Sequence, residues 1–337
     1  PVENDTPHGR VQCVVFNGPA PIELYCFEGA QTFPEADPAH APRLVFRADA
    51  KATLSELNGA CILCEAAPKY DIVALGESLI DFVPGSAQEP GKLSFIGAPG
   101  GAPSNVLAAA SRLGPQTAFI GKVGDDVFGQ TIRCTMAQNR ICTDGLLLSK
   151  TDPTALAFVS LDEHGDRSFR FYRQHSADCM LRSDELPLSL LSQTSIFHFG
   201  SVSMTAEPAR SATLDAVKYA RAKGAAIAFD PNLRPPLWSS TDAAYRAICE
   251  GLQYADLVKL SETELEFLTS FPDREAGMRE LMERYRIRIL VVTLGADGCL
   301  CLCRNGLFLR QRTIQITALD TTGSGDAFWG TFLSELL

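Results

Sequence analysis

The chain has no apolar run long enough to cross a bilayer as a helix, and its first residues, Pro1-Val-Glu-Asn-Asp5, do not form a secretory leader. It has no G-x-x-x-x-G-K-[ST] string, which excludes a P-loop nucleotide site. It has no G-x-G-x-x-G after the strand that opens its α/β pattern, which argues against a dinucleotide oxidoreductase. Histidine is scarce, and His8, His40, His164, His175 and His198 show no zinc-ligand spacing. Positive charge is in deficit, with 30 Lys and Arg against 40 Asp and Glu, so the net charge of −10 argues against a nucleic-acid surface. It does not argue against an anionic nucleotide, which a few amides and cations can hold. No internal repeat or low-complexity tract is present.

What remains is an ordinary globular composition. The 337 residues are 46% hydrophobic and 21% charged, enough for one large domain with an attachment or for two ordinary domains. Eleven cysteines are scattered along the chain. Cys61-x-x-Cys64 is a lone pair with no second pair and no nearby His, which is weak support for a metal or redox site. Cys299, Cys301 and Cys303 alternate on a β-like segment and should face one side of a strand as small buried hydrophobes. An odd number of dispersed thiols fits a reducing cytoplasm.

Residues 1–69 are rich in Pro, Ala and Glu, with short β-like runs at Val11–Phe16 and Ile22–Phe27 and no recognisable chemistry. From Tyr70 onward strand and helix alternate. Short apolar strands are expected at 72–75, 117–120, 195–199, 225–229, 256–259 and 289–293. Helices are expected at 105–113, 128–139, 208–223, 243–252 and 274–286. This alternation implies an α/β fold with a mostly parallel central sheet flanked by helices and joined by right-handed crossovers. Runs at 154–161 and 167–173, joined by Asp162-Glu-His-Gly-Asp166, break the alternation and read as a hairpin. With a short run at 93–96 they suggest a small separate sheet.

Asp320-Thr-Thr-Gly-Ser-Gly-Asp-Ala-Phe328 carries the most chemistry. It follows a β-rich run at Thr313–Thr317 and opens an apolar segment, Ala327–Leu337. Gly323, Ser324 and Gly325 allow close approach to a ligand, and amides at a helix N-terminus favour an anion. Asp326 would repel a phosphate, but beside an anion hole it is suited to take a proton from an attacking hydroxyl. The combination reads as phosphoryl transfer from a nucleotide to an alcohol. The plainer reading of Gly-Ser-Gly alone is a turn with an Asp cap.

The string resembles the second signature of the PfkB (ribokinase-like) carbohydrate kinases, usually D-T-T-G-A-G-D, with Ser324 in place of Ala. Gly100-Gly-Ala-Pro-Ser-Asn105, continuing to Gly121-Lys-Val-Gly-Asp-Asp-Val-Phe-Gly129, is similar to the first signature of that family, about 220 residues earlier. The resemblance spans about residues 70–335. It implies a ribokinase-like fold whose lid over the sugar comes from about residues 82–99 and 152–175, with residues 1–69 as an extension. Its open lid edge makes a homodimer plausible. Family members continue past the equivalent of Leu337 through a helix and a Gly-Ala turn that line the adenine site. The chain, which also begins without Met, is therefore expected to be a fragment lacking that end, with weakened ATP binding.

Site roles carry over residue by residue. An Asp beyond the first strand, as in Gly76-Glu-Ser-Leu-Ile-Asp81-Phe82, can accept two polyol hydroxyls or can be a solvated loop residue. The resemblance implies that Asp81, Gly100, Gly101 and Asn105 line the sugar pocket. Arg173, at the end of Phe171-Tyr172-Arg173, would reach the sugar's oxygens, with Arg170 a weaker candidate and ordinary cross-strand packing the alternative. Asp230-Pro-Asn-Leu-Arg234 is stiffened by proline, so Arg234 can neutralise a transferring phosphoryl group. Lys259-Leu-Ser-Glu-Thr-Glu264 matches the family's N-x-x-E region with Ser261 in place of Asn. Glu264 would organise Mg²⁺ and phosphate through water, or would be an exposed helix carboxylate. Thr293-Leu-Gly295-Ala-Asp-Gly298 is similar to the family's nucleotide loop.

Within the family the chain is most similar to fructokinases, through strings such as Gly76–Pro84, Phe197-His-Phe-Gly-Ser201 and Asp230–Trp238. The implied reaction is ATP plus D-fructose giving fructose 6-phosphate and ADP, with Mg²⁺ and, in this family, a monovalent cation such as K⁺. 2-Keto-3-deoxygluconate kinase, ribokinase and a non-catalytic sugar-binding relative are the alternatives. No nucleic-acid or membrane partner is implied.

Overall fold

The computed structural model describes residues 2–6, 9–16, 22–27, 43–47, 69–85, 93–161, 167–313 and 321–337. Strands β1 (Val2–Thr6), β2 (Gly9–Phe16), β3 (Ile22–Phe27) and β4 (Arg43–Arg47) form one four-stranded sheet in that order. Cys61 and Cys64, the hairpin turn at 162–166 and most of the run expected at 313–317 lie outside the described residues.

The α/β region runs β5 (Tyr70–Leu75), β6 (Leu79–Pro84), β7 (Phe95–Gly100), α1 (Ala102–Arg112), β8 (Thr117–Gly124), α2 (Val127–Gln138) and β9 (Ile141–Ser149). It continues through β10 (Leu156–Leu161), β11 (Arg167–Tyr172), α3 (Leu188–Leu191), β12 (Thr194–Gly200), α4 (Ala209–Ala222), β13 (Ala226–Asp230), α5 (Thr241–Leu252) and β14 (Leu257–Ser261). It ends with α6 (Glu262–Leu268), α7 (Arg274–Tyr285), β15 (Ile289–Thr293), β16 (Cys299–Cys303), β17 (Phe308–Gln311) and α8 (Ser324–Glu335).

The central sheet has nine strands in the order β17-β16-β15-β14-β13-β12-β5-β8-β9. Its pairs are parallel from β15 to β9, and β16 and β17 close one edge antiparallel. Parallel strands covered on both faces must be apolar throughout, and strand period two divides their residues between the faces. On one face Val73, Phe199, Phe229, Val258 and Val292 meet Ala216 of α4, Ile248 of α5 and Leu281 of α7. On the other, Ile72, Ile196, Leu257 and Val291 meet Val106 of α1, Ile132 of α2 and Trp329 of α8. Cys299, Cys301 and Cys303 are buried together on this second face, while Leu300 and Leu302 point to the first. Burial pushes the Cys299 thiol up to about 11. All three act as small hydrophobes, as their alternation suggested.

The small sheet has the order β11-β10-β6-β7. It begins at Leu79 and not near residue 82, so Asp81 stands in a strand, opposite Ala98 of β7 and Ala157 of β10, rather than in a loop. One face of this sheet carries clustered aromatics, with Phe82 stacked on Phe158 and edge-to-face with Phe128 of α2, and Tyr172 edge-to-face with Phe158. The other carries Leu79, Ala155 and Ala157 with Phe171. The structure thus turns Phe171 toward the pocket and Tyr172 outward to solvent.

Candidate active site

A pocket opens between the small sheet and the C-terminal ends of the central strands, where open α/β sheets collect their ligands. Leu79, Asp81, Phe171 and Arg173 line it from the small sheet. Glu77, Gly101, Ala102 and Asn105 line it from the first crossover, Asn232, Arg234 and Leu237 from the loop after β13, and Thr322, Gly323 and Asp326 from the start of α8.

Asp326 sits in the first turn of α8, whose N-cap is Gly323 at φ 74°. Its Oδ2 accepts a 2.9 Å hydrogen bond from Nδ2 of Asn105, in the first turn of α1. The two signature strings therefore meet in one contact. Burial raises the Asp326 carboxyl above its ordinary range and Asp230 adds to the rise, while Asn105, Lys259 and Arg234 pull it back. Asn105, expected to serve the sugar, commits a donor to orienting Asp326. The Ser324 N–H is turned back onto Thr321 O at 3.1 Å, so Ser324 contributes to the bend of the anion hole through its turn.

Lys259 and Asp230 form a buried ion pair, Nζ to Oδ2 at 2.6 Å, behind this helix start. A Cβ on Gly325 would lie 3.4 Å from Lys259 Nζ, which places the ammonium directly under the Gly-Ser-Gly turn. Burial would discharge Lys259, but Asp230 and then Glu264 outweigh it and hold its pKa above the ordinary lysine value. Neither half of the pair was singled out from the sequence. A Lys inside the otherwise apolar strand Leu257–Leu260 was the available signal, because buried charge demands a partner.

Asp81 is driven up to about 6 by burial, against the pull of Arg234 and with the push of Asp326. A Cβ on Gly100 would fall 2.0 Å from Asp81 Oδ2, so that glycine keeps the carboxylate's place open. Gly101 combines φ +113° with backbone contact: a Cβ there would lie 2.5 Å from Glu77 O. Arg234 lines the pocket and faces both Asp81 and Asp326 electrostatically.

Two expectations change. Arg173 is 6% exposed and donates from Nε to Asp178 Oδ2 (2.5 Å), from Nη1 to Thr205 Oγ1 (2.6 Å) and from Nη2 to Val202 O (3.1 Å). Its fork pins the wall of the pocket through these three bonds, and Arg173 still lines that pocket. Arg170 is exposed and outside the pocket. Glu264 is buried and not an exposed helix carboxylate. Its Oε1 accepts from Leu233 N and its Oε2 from Ser261 N, each at 2.7 Å, so it braces the Arg234 loop against the start of α6. Ser261 completes a reciprocal cap on the Glu264 N–H, which a serine fills as well as an asparagine. Among the described residues no group of three or more His, Cys, Asp or Glu could hold a metal ion.

Thr293, Gly295 and Gly298 form the β15–β16 connection. Thr293 lies opposite Ser261 in the sheet and outside the pocket. Gly298, at φ +100°, has a structural cause as well, since a Cβ there would fall 1.9 Å from Gln311 O.

A family model described as pfkB family carbohydrate kinase matches residues 69–337. Probable fructokinase-2 of Arabidopsis thaliana is 41% identical over 268 residues, covering 79% of this chain and 81% of the relative. The fructokinase of Xylella fastidiosa with bound ATP superposes with a TM-score of 0.72 at 36% identity, covering 78% of this chain and 80% of the other. The Vibrio cholerae fructokinase with bound fructose, ADP and calcium gives 0.71 at 34% identity, covering 80% and 85%. The paired signatures, the ribokinase-like fold and these matches place the chain in the PfkB family of carbohydrate kinases.

Proposed function

We propose that this chain transfers the γ-phosphoryl group of ATP to the 6-hydroxyl of D-fructose. The observation that carries the reading is Asp326, oriented by Asn105 at the mouth of a helix N-terminus and facing the pocket that Asp81 lines. Relatives called fructokinases, one of them with fructose and ADP bound, support the choice of sugar and donor.

In this reading Asp81 accepts hydrogen bonds from sugar hydroxyls and sets the ring's position. Asp326 takes the proton of the 6-hydroxyl as its oxygen bonds to the γ-phosphorus, and the bond from that phosphorus to the β,γ-bridging oxygen breaks to release ADP. Arg234 and the N–H groups of Gly325 and Asp326 in the first turn of α8 hold the charge that develops on the phosphoryl oxygens. Lys259 adds positive charge beneath them, with its own charge balanced by Asp230. Mg²⁺ on the nucleotide would neutralise phosphate charge, with Glu264 reaching it only through water, and K⁺ would serve as an activator. Thr293, Gly295 and Gly298 would border the nucleotide. The described cysteines are free thiols, which supports a reducing compartment such as the cytoplasm. No described helix is long and apolar enough to cross a membrane. The exposed Phe95 and Ile96 on the small sheet suit a homodimer through that sheet.

The test is an ADP-release assay with Mg-ATP against fructose, 2-keto-3-deoxygluconate, ribose and glucose. Turnover confined to fructose is the expected result. Silence on all four sugars, or preference for another, overturns the reading.

A further inference from the structure

Glu77 lies between β5 and β6, lines the pocket and is only 4% exposed. Its Oε1 accepts the N–H of Ala102, the first residue of α1, at 3.2 Å. Its Oε2 is fully buried and has no hydrogen-bond partner among the described residues. A buried carboxylate oxygen without a donor is costly, so native structures keep one chiefly where a ligand or water supplies the donor.

The surroundings do not supply it. Arg173 attracts Glu77 electrostatically, yet three of its five N–H donors go to Asp178, Thr205 and Val202 and none is within hydrogen-bond reach of Oε2. Asp178 repels it, and is itself held by Arg173 and Ser176. Gly101 packs closely against the Glu77 backbone, which fixes the main chain of this residue at the start of α1. Burial pushes the Glu77 carboxyl up to about 7 against the pull of Arg173 and the Ala102 amide, so from neutral pH upward its ionised form presents Oε2 as an acceptor beside the pocket.

We infer that Glu77 is a specificity residue: its orphaned Oε2 accepts a hydrogen bond from a hydroxyl of a neutral sugar, alongside Asp81. This inference rests on the sugar-kinase reading above. It also explains discrimination. Glu77, Asp81 and Asp326 give the pocket three carboxylates, and the Arg173 guanidinium is already engaged. A neutral polyol brings donors to such a wall, whereas a sugar acid brings a fourth carboxylate that would compete with the phosphoryl group for Arg234.

The experiment compares wild type with Glu77→Gln, which keeps an oxygen for Ala102 but turns the Oε2 acceptor into a donor. Fructose, a set of deoxyfructoses each lacking one hydroxyl other than the 6-hydroxyl, and 2-keto-3-deoxygluconate serve as substrates. Loss of a hydrogen bond to a charged group corresponds to a rise in KM for fructose of about 10–100-fold, with kcat within about threefold. One deoxy sugar should lose a similar factor in wild type and lose nothing further in the variant. The preference for fructose over the sugar acid should narrow. A factor common to every deoxy sugar, or an unchanged KM with a lowered Tm, would make Glu77 a structural residue and overturn the inference. Calorimetric fructose binding without nucleotide keeps the two readings apart. Silent turnover with intact binding rejects the kinase reading alone, and binding unchanged by Glu77→Gln rejects the inference alone.

Discussion

Replacing Lys259 with Met removes one half of a buried ion pair and strands the other. The side chains of Lys259 and Asp230 are 7% and 2% exposed and 2.6 Å apart, so water cannot replace the lost partner. Breaking such a pair from one side costs about 3–5 kcal/mol. For a domain of this size each kcal/mol moves Tm by roughly 2–4 °C, so a fall of about 6–20 °C is expected. A second effect is chemical. The Lys259 charge holds the Asp326 carboxyl down and the Asp230 charge pushes it up. Lys259→Met should therefore move the acid limb of the kcat–pH profile to higher pH and lower turnover at neutral pH. Adding Asp230→Asn removes the stranded charge, and the asparagine oxygen can still accept the Asn232 N–H that Asp230 Oδ1 now takes at 3.2 Å. The double variant should recover at least half of the lost Tm and bring the acid limb back towards wild type. Thermal unfolding and kcat–pH profiles of the four proteins of this cycle decide the matter. A loss below about 1 kcal/mol in Lys259→Met, or a double variant no more stable than the single, would refute the argument that the pair acts as one buried unit.

Asp326→Asn should bind fructose with nearly unchanged affinity and lose about 10²–10⁴-fold in kcat, and near-normal turnover would remove Asp326 as the base. The folded-state pKa of Asp81, about 6, lies above its unfolded value, so the sugar-free protein loses stability as pH rises through the window from about 4 to 6. Sugar binding has the opposite sign, because the ionised carboxylate is the better acceptor. KM for fructose should rise as pH falls through about 6, and Asp81→Asn should raise KM about 10–100-fold and remove that dependence. A wild-type KM that is flat across this range would contradict the role of Asp81. Gly101→Ala meets both a φ of +113° and the Glu77 carbonyl at 2.5 Å, so it should lose about 2–5 kcal/mol in urea unfolding. A loss below about 1 kcal/mol would show that this turn can relax.

The central sheet was legible because its parallel strands are buried on both faces. Ile289–Thr293 and Ala226–Asp230 stand out as short apolar runs for that reason. The small sheet was harder. Its strand β7 reads Phe-Ile-Gly-Ala-Pro-Gly, a turn-like string, and Gly97 is there because a Cβ would meet the Phe82 ring at 2.7 Å. Strand β6 was hidden by Asp81, a residue that usually marks loops. Strand β9, Ile141–Ser149, was missed because Thr143, Asp144 and Gly145 interrupt it. In the site, Asp326, Asp81 and Asn105 were readable because short motifs carry their chemistry. The Lys259–Asp230 pair was not, since its partners lie 29 residues apart and meet only across two strands. Arg173 was recognised, but its bonds to Asp178, Thr205 and Val202 were not, because they depend on how the chain after β11 folds back.

The contact between α1 and α8 has a consequence for the making of the protein. A Cβ on Gly330 would lie 2.2 Å from Val106 O, so the two helices touch backbone to backbone, and Val106, Phe328 and Trp329 share one core. Asn105 leaves the ribosome 221 residues before Asp326. At about 5–20 residues per second, α1 waits roughly 10–45 s for the helix that covers it. During that interval its apolar face is a target for chaperones and for neighbouring nascent chains. Most of the pocket's lining is synthesised before α8 and the residue proposed as base comes last, so a stalled or prematurely released chain would carry Asp81 and Glu77 without Asp326.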